Sequence, residues 1–217
     1  MGASCMSVLP FWNIISMRTL KRSSPSVQTK ISNACVQKEY SLDWKGLILL
    51  NEEGISTTHL PARLRSVEVL ALNVVYCGIG IRNEMGGMEF YSAPLCRSSF
   101  TVKPAGITCI PRIEGHRSDA CCVFADMMDY LAYLTLLEKQ EVLIPACDCI
   151  IMGAISNFMD MLHECKMYAH ICCFLPNTVP GRTMYSTINS LKNCEVKDFS
   201  YIYGKTICLH QYIKHIA

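Results

Sequence analysis

Residues 119–140 read DACCVFADMMDYLAYLTLLEKQ, and residues 144–182 read IPACDCIIMGAISNFMDMLHECKMYAHICCFLPNTVPGR. Three short apolar runs stand out: Ala120 to Phe124, Cys149 to Met152 and Ile171 to Leu175. Each is followed by a corner and then by helical spacing. The corners are acidic at Asp126, small-residue from Gly153 to Asn157, and turn-rich from Pro176 to Gly181. Short continuous apolar runs alternating with helical periodicity predict parallel strands buried on both faces, with helices covering the sheet. In such sheets chemistry gathers at the carboxyl ends of the strands, so the three corners are where a site is expected.

The first helical stretch shows the spacing well. Met127, Leu131, Leu134 and Leu137 recur at three- and four-residue intervals, and Met128 and Tyr130 broaden the stripe. Asp126 suits its N-cap, where a carboxylate accepts from free backbone N–H groups and meets the positive end of the helix. Beyond Gly181, RTMYSTINSLK predicts another helix, CEVKDFSYIY a fourth strand, and ICLHQYIKHI a last helix.

Upstream the pattern differs. SLDWKGLILLNEEGIS predicts a helix stopped at Gly54, and HLPARLRS a second short helical piece. Val67 to Leu72 and Val74 to Ile81 are β-rich with Asn73 between them, and Gly86-Gly87 precedes MEFY, which predicts hairpins. The expected fold is therefore α/β. A parallel sheet with helices on both faces over residues 116–217 is preceded by a small α+β, antiparallel hairpin region over residues 41–115. Residues 1–40, with Arg18, Lys21, Arg22 and SSPSVQTK, are expected to be a leader or linker.

A chain of 217 residues, 51% hydrophobic and 18% charged, has enough apolar side chains for a sizeable core. The net charge of +2 argues by itself neither for nucleic acid nor for a membrane surface. The apolar stretch Ser7 to Met17 is too short to span a bilayer and has no basic segment ahead of it, so no membrane attachment is expected. Met1-Gly2 lacks the Ser or Thr that myristoylation wants, since Met6 stands there. There are 14 cysteines. Cys121, Cys122, Cys172 and Cys173 lie inside strands, where neighbours point to opposite faces and behave as small hydrophobes, so a reducing, cytoplasmic setting is expected.

The passage from Cys121 to Leu191 resembles the Toprim domain of bacterial primases and topoisomerases, most of all the primase-like Toprim proteins of mobile elements in the Bacteroides group. VFADMMDYLAYLTL stands where the family has a strand ending in Glu-Gly, two more residues and an Asp. FLPNTVPGR stands where it has a strand, then Asp-x-Asp, then Ala-Gly-Arg. YCGIGIRNEMGGMEFYSAPL resembles the segment ahead of Toprim, so the resemblance covers roughly residues 40–215. It implies Mg2+-dependent nucleotidyl or phosphoryl transfer on DNA or RNA in replication or mobilisation, with proteins of those processes as partners. Such chemistry needs a hard divalent ion held by oxygen ligands at adjacent strand ends. The zinc ribbon that often precedes the domain is not expected in this chain, which has no paired CxxC.

In register with the family, its Glu falls on Ala125, its Gly on Asp126, and its following Asp on Asp129. The acids of Asp-x-Asp fall on Pro176 and Thr178, and a later Asp on Cys208, while Gly181 and Arg182 match. The implied metal ligands are thus Asp126 and Asp129, the implied catalytic residues Asp129 and Arg182, and the implied activity is impaired; the alternative is an inactive module that binds nucleic acid or a partner protein. Each residue also has a plainer reading. Asp126 serves as an N-cap, Asp129 as a first-turn acid favoured by the helix dipole, Arg182 as a solvated cation instead of a phosphate ligand, and Ser156-Asn157 as a cap. Arg82, Lys103, Arg112, Arg117 and Arg182 could track a phosphate backbone or be scattered surface charge. Cys147, Cys149 and Cys165 with His163 or His170 could form a soft metal site, but the spacing of a tetrahedral set is missing.

Overall fold

Two five-stranded sheets share the chain between them. The computed structural model describes residues 33–96, 99–140 and 147–216, and the readings made for the N-terminal 32 residues lie outside them. The first sheet is an antiparallel meander in the order β1 (Cys35–Ser41), β2 (Arg65–Ala71), β3 (Val74–Arg82), β4 (Met88–Tyr91) and β5 (Phe100–Val102). A helix, α1 (Trp44–Glu52), crosses between β1 and β2, with the Asp43 carboxylate accepting from the Gly46 N–H as its N-cap. The β2–β3 turn holds just Leu72 and Asn73, at φ 55° and 61°, between the paired residues Ala71 and Val74. Positive φ at both central residues is the geometry whose twist matches that of the two strands, so the hairpin expected around Asn73 forms as a tight turn.

The second sheet has the order β10 (Glu195–Asp198), β9 (His170–Phe174), β7 (Ala120–Phe124), β8 (Asp148–Ile151) and β6 (Thr108–Ile110). Strands β10, β9, β7 and β8 run parallel, and β6 pairs antiparallel with β8 at the edge. The alternation within each run decides what each face touches. Cys122, Phe124, Cys149, Ile151 and Phe174 join one core with α2 (Met127–Lys139) and α5 (Leu209–Ile216). Cys121, Val123, Ile150, Ile171, Cys173 and Leu175 join another with α3 (Phe158–Cys165) and α4 (Val179–Asn189). Helices therefore cover both faces, as the sequence predicts, and the period-2 side-chain alternation of a strand is the cause.

The first of these cores also takes Leu50, Ile55, Ile79, Ile81 and Tyr91 from the meander side. Helix α2 consequently packs between the two sheets, which explains why ten of its thirteen residues are buried. A helix covered over most of its surface has little polar face, and the stripe read from sequence is only part of its apolar surface.

The structure departs from three sequence expectations. Of CEVKDFSYIY only Glu195–Asp198 is strand, and Ser200–Tyr203 turns as a short 3-10 helix. HLPARLRS forms turns and not a helix, with Leu64 N–H bonded to Pro61 O and Arg65 Nη1 donating to Ala62 O. The proline interrupts what spacing alone suggested. Asn157 does not cap α3: its amide donates to Gly106 O at 3.0 Å and Met152 O at 2.9 Å, tying the segment ahead of β6 to the corner after β8. Among the described residues no helix is long and apolar enough to cross a membrane.

Candidate functional site

The corner after β7 is built by capping. Asp126 is extended and half-buried, and its carboxylate accepts from the Asp129 N–H at 3.0 Å, closing the first turn of α2. Asp129 is turned inward, with 2% exposure, and accepts from the His210 N–H at 2.9 Å. An acid on α2 thus holds the first turn of α5, and the Cys208 thiol, at the position of the family's later Asp, bonds to the same carboxylate. Burial and then the Asp126 charge push Asp129 up to about 8, and burial likewise raises Asp126.

A third carboxylate, missed in the sequence, sits in the crevice between the corners after β7 and β8. Glu89 of β4 is fully buried and accepts from the hydroxyls of Thr101 and Ser99. The Ser99 Oγ also accepts from the Met127 N–H at 3.2 Å, linking Glu89 to the start of α2. Burial drives its pKa up to about 7, and Asp126 adds to the rise. Gly153, at φ +74° after β8, lies directly against this carboxylate, and a Cβ there would collide with Glu89 Oε1. The glycine is needed both for its backbone angle and for the close approach.

Beside this group lies a buried ion network. Glu53, at the end of α1, accepts from His210 Nε2 at 3.1 Å and from Lys214 Nζ at 2.6 Å. Burial opposes its ionisation, but the hydrogen bonds from Lys214 and Tyr91 outweigh that and hold its pKa below the usual range. The network fastens the meander half to α5. Its partners lie 157 and 161 positions apart, so no local sequence signal could have found it.

At the corner after β9, where the family has Asp-x-Asp, the residues serve structure. Thr178 caps α4 by accepting from the Gly181 N–H at 3.2 Å. Gly181 presses against Pro176 O so closely that a Cβ would overlap it. The Asn177 amide holds the following loop through Ser200 O, Gly204 O and Thr206 O. Replacing Thr178 by Ala removes the cap and is expected to lower stability by about 1 kcal/mol, read as a shift in the urea midpoint. Thr178→Asp should keep it.

The predicted cations are not gathered in one place. Arg82 pairs with Glu39, and Arg117 pairs with Glu164 at 2.9 Å while lying over the Tyr168 ring. Lys103, Arg112 and Arg182 are exposed and have no ion pair among the described residues. Arg182 lines a small cleft with Pro176, Asn177, Tyr185, Asp198 and Ser200. The soft-metal set read from sequence is not assembled either. Cys165 lies on the opposite face of the sheet from Cys147 and Cys149, and His170 is paired with Glu195 at 3.0 Å.

The residues do not fit a magnesium ion as they stand. One oxygen of each Asp is taken by a helix N-terminus, Glu89 is taken by two hydroxyls, and no group of three ligating side chains is placed to hold a metal among the described residues.

No protein-family model matches the chain, and no curated protein matches it. Among solved structures it is similar to the primase fragment of the bacteriophage T7 primase-helicase protein, at 11% identity and TM-score 0.42. The match covers 69% of this chain and 62% of that one. It is also similar to a chain in the structure of bacteriophage T7 lagging-strand DNA polymerase interacting with primase domains bound to an RNA/DNA hybrid and dTTP. That match has 13% identity, TM-score 0.36, and covers 77% of this chain and 80% of that one.

Proposed function

We propose that this chain is a Toprim-like module, akin to the primase-like proteins of mobile elements, in which Mg2+-dependent nucleotidyl transfer is impaired and nucleic-acid binding is the working activity. The observation that carries the reading is the use of the corner residues. Asp126 caps α2, Asp129 caps α5 and Thr178 caps α4, so the side chains best placed for a metal already complete helix ends. What the corner leaves exposed is Arg182, in the first turn of α4, where the backbone dipole favours an anion. Lys103 and Arg112 are the further exposed cations in this reading, and Asp198, in the cleft beside Arg182, limits how much negative charge can approach.

Magnesium calorimetry on the natural chain, beside an Ala125→Glu, Pro176→Asp, Thr178→Asp variant, tests the metal half of the proposal. Binding is expected only in the variant. Binding by the natural chain, with nucleotide turnover that Asp129→Ala abolishes, would establish the enzymatic reading instead. Fluorescence anisotropy with single-stranded DNA and RNA tests the other half. Arg182→Ala is expected to weaken binding several-fold and to reduce the salt slope by about one ion. Failure to bind either strand at low salt would overturn it and leave a partner protein as the target.

A further inference from the structure

The strand register places Cys149, Cys122 and Cys172 side by side across β8, β7 and β9, on the face that α2 covers. Cys147 lies two residues ahead of Cys149, outside the hydrogen-bonded ladder, and joins the same cluster. Its Sγ is 3.4 Å from the Sγ of Cys122, whose sulfur also lies 3.7 Å from the Tyr133 hydroxyl. Among the described residues no group of three ligating side chains is placed to hold a metal.

We propose that Cys122 and Cys147 form a reactive dithiol that a hydroperoxide closes to a disulfide. Their sulfurs need only a small further approach to bond. The roles are unequal. Thiol donation from Cys122 and Cys149 holds the Cys147 pKa well below the ordinary thiol value, whereas the same donation drives that of Cys122 up. Cys147 is also the more exposed of the pair, at 8% against 3% for Cys122, so it is the sulfur a peroxide reaches first, and it attacks as the thiolate.

In the first step the Cys147 sulfur attacks the distal peroxide oxygen. The O–O bond breaks, the leaving oxygen departs as hydroxide or alkoxide, and Cys147 becomes a sulfenic acid. In the second step the Cys122 sulfur attacks that of Cys147, the S–OH bond breaks, and the hydroxyl leaves as water with the Cys122 proton. Two thiols lose two electrons in all, and one peroxide gains them. At 8% exposure Cys147 admits only a small oxidant, which points to hydrogen peroxide or a short alkyl hydroperoxide.

The test uses the full chain, reduced and then freed of reductant. After treatment with stoichiometric hydrogen peroxide, remaining thiols are alkylated under denaturing conditions and the peptides mapped by mass spectrometry. The expected product is lighter by two hydrogens, contains a Cys122–Cys147 linked peptide, and reverts with dithiothreitol. In Cys122→Ser, which lacks the second thiol, dimedone should trap sulfenic acid at Cys147. Full alkylation of both cysteines after peroxide, or a link between Cys147 and Cys149 in its place, would overturn the proposal. So would the same link forming no faster in the folded chain than in urea. Mapping the natural chain decides the matter even if a variant fails to fold.

Discussion

A Val123→Asp protein is expected not to fold. Val123 is fully buried at the middle of β7, in register with Ile150 on one side and Cys173 on the other. Its side chain enters the core formed with Met161, Leu162, Met184 and Ile188 of α3 and α4. No cation belongs to that cluster, so a carboxylate there must be buried without a partner or take up a proton, at a cost of several kcal/mol either way. Domains of this size are held by about 5–15 kcal/mol in all. Val123→Ala, which loses apolar contact without adding charge, should cost about 2 kcal/mol and still fold. Circular dichroism and limited proteolysis of the two variants distinguish the outcomes. A soluble Val123→Asp protein with the natural spectrum would refute β7 as a central strand.

Glu89→Gln should stabilise the protein, and the gain should appear only as the pH rises. In the folded chain Glu89 titrates at about 7, against an ordinary value of 4.5. Below 4.5 both folded and unfolded chains hold the proton, and nothing is lost. Between 4.5 and about 7 the unfolded chain gives it up while the folded one keeps it, so folded stability falls. At about 1.4 kcal/mol per unit, the full loss is about 3 kcal/mol, complete above the folded value. Glutamine keeps an acceptor for Thr101 and carries no charge to repel Asp126. Urea denaturation of both proteins at pH 5 and pH 8 is the check, the variant pulling ahead at pH 8. An equal difference at the two pH values would show that Glu89 does not titrate in this window. Asp126 and Asp129, both raised as well, keep some decline in the variant.

Much of this architecture can be read from the chain because its determinants are local. ACCVF and HICCF are short, apolar on both faces and followed by a helix, and the described sheet places them as adjacent parallel strands. Asp126 stands where a cap is needed, and it caps. Glu89 could not be found this way. In MEFY it alternates with Met88 and Phe90, which reads as a solvent-facing acid, until α2 and the corner at Gly153 close over that face. Nor could the role of Asp129 be found, since its partner His210 is 81 positions away. HLPARLRS misleads for the opposite reason: its spacing is helical, but the local backbone chemistry of Pro61 prevails. Local chemistry is visible in a sequence, whereas burial by a distant segment is not.

The order of the strands also constrains how the molecule assembles during synthesis. Every strand of the meander pairs with its sequence neighbour, so that sheet can complete once β5 has left the ribosome. β6 emerges next with no partner, because β8 lies some forty residues further on: Ile110 pairs with Cys149. Until β7, α2 and the corner after β8 arrive, Glu89 faces water on the finished meander and carries its charge. The nascent meander therefore carries a charged Glu89 beside the apolar Ile79, Ile81 and Tyr91, and the arrival of the second half buries that acid and raises its pKa to about 7.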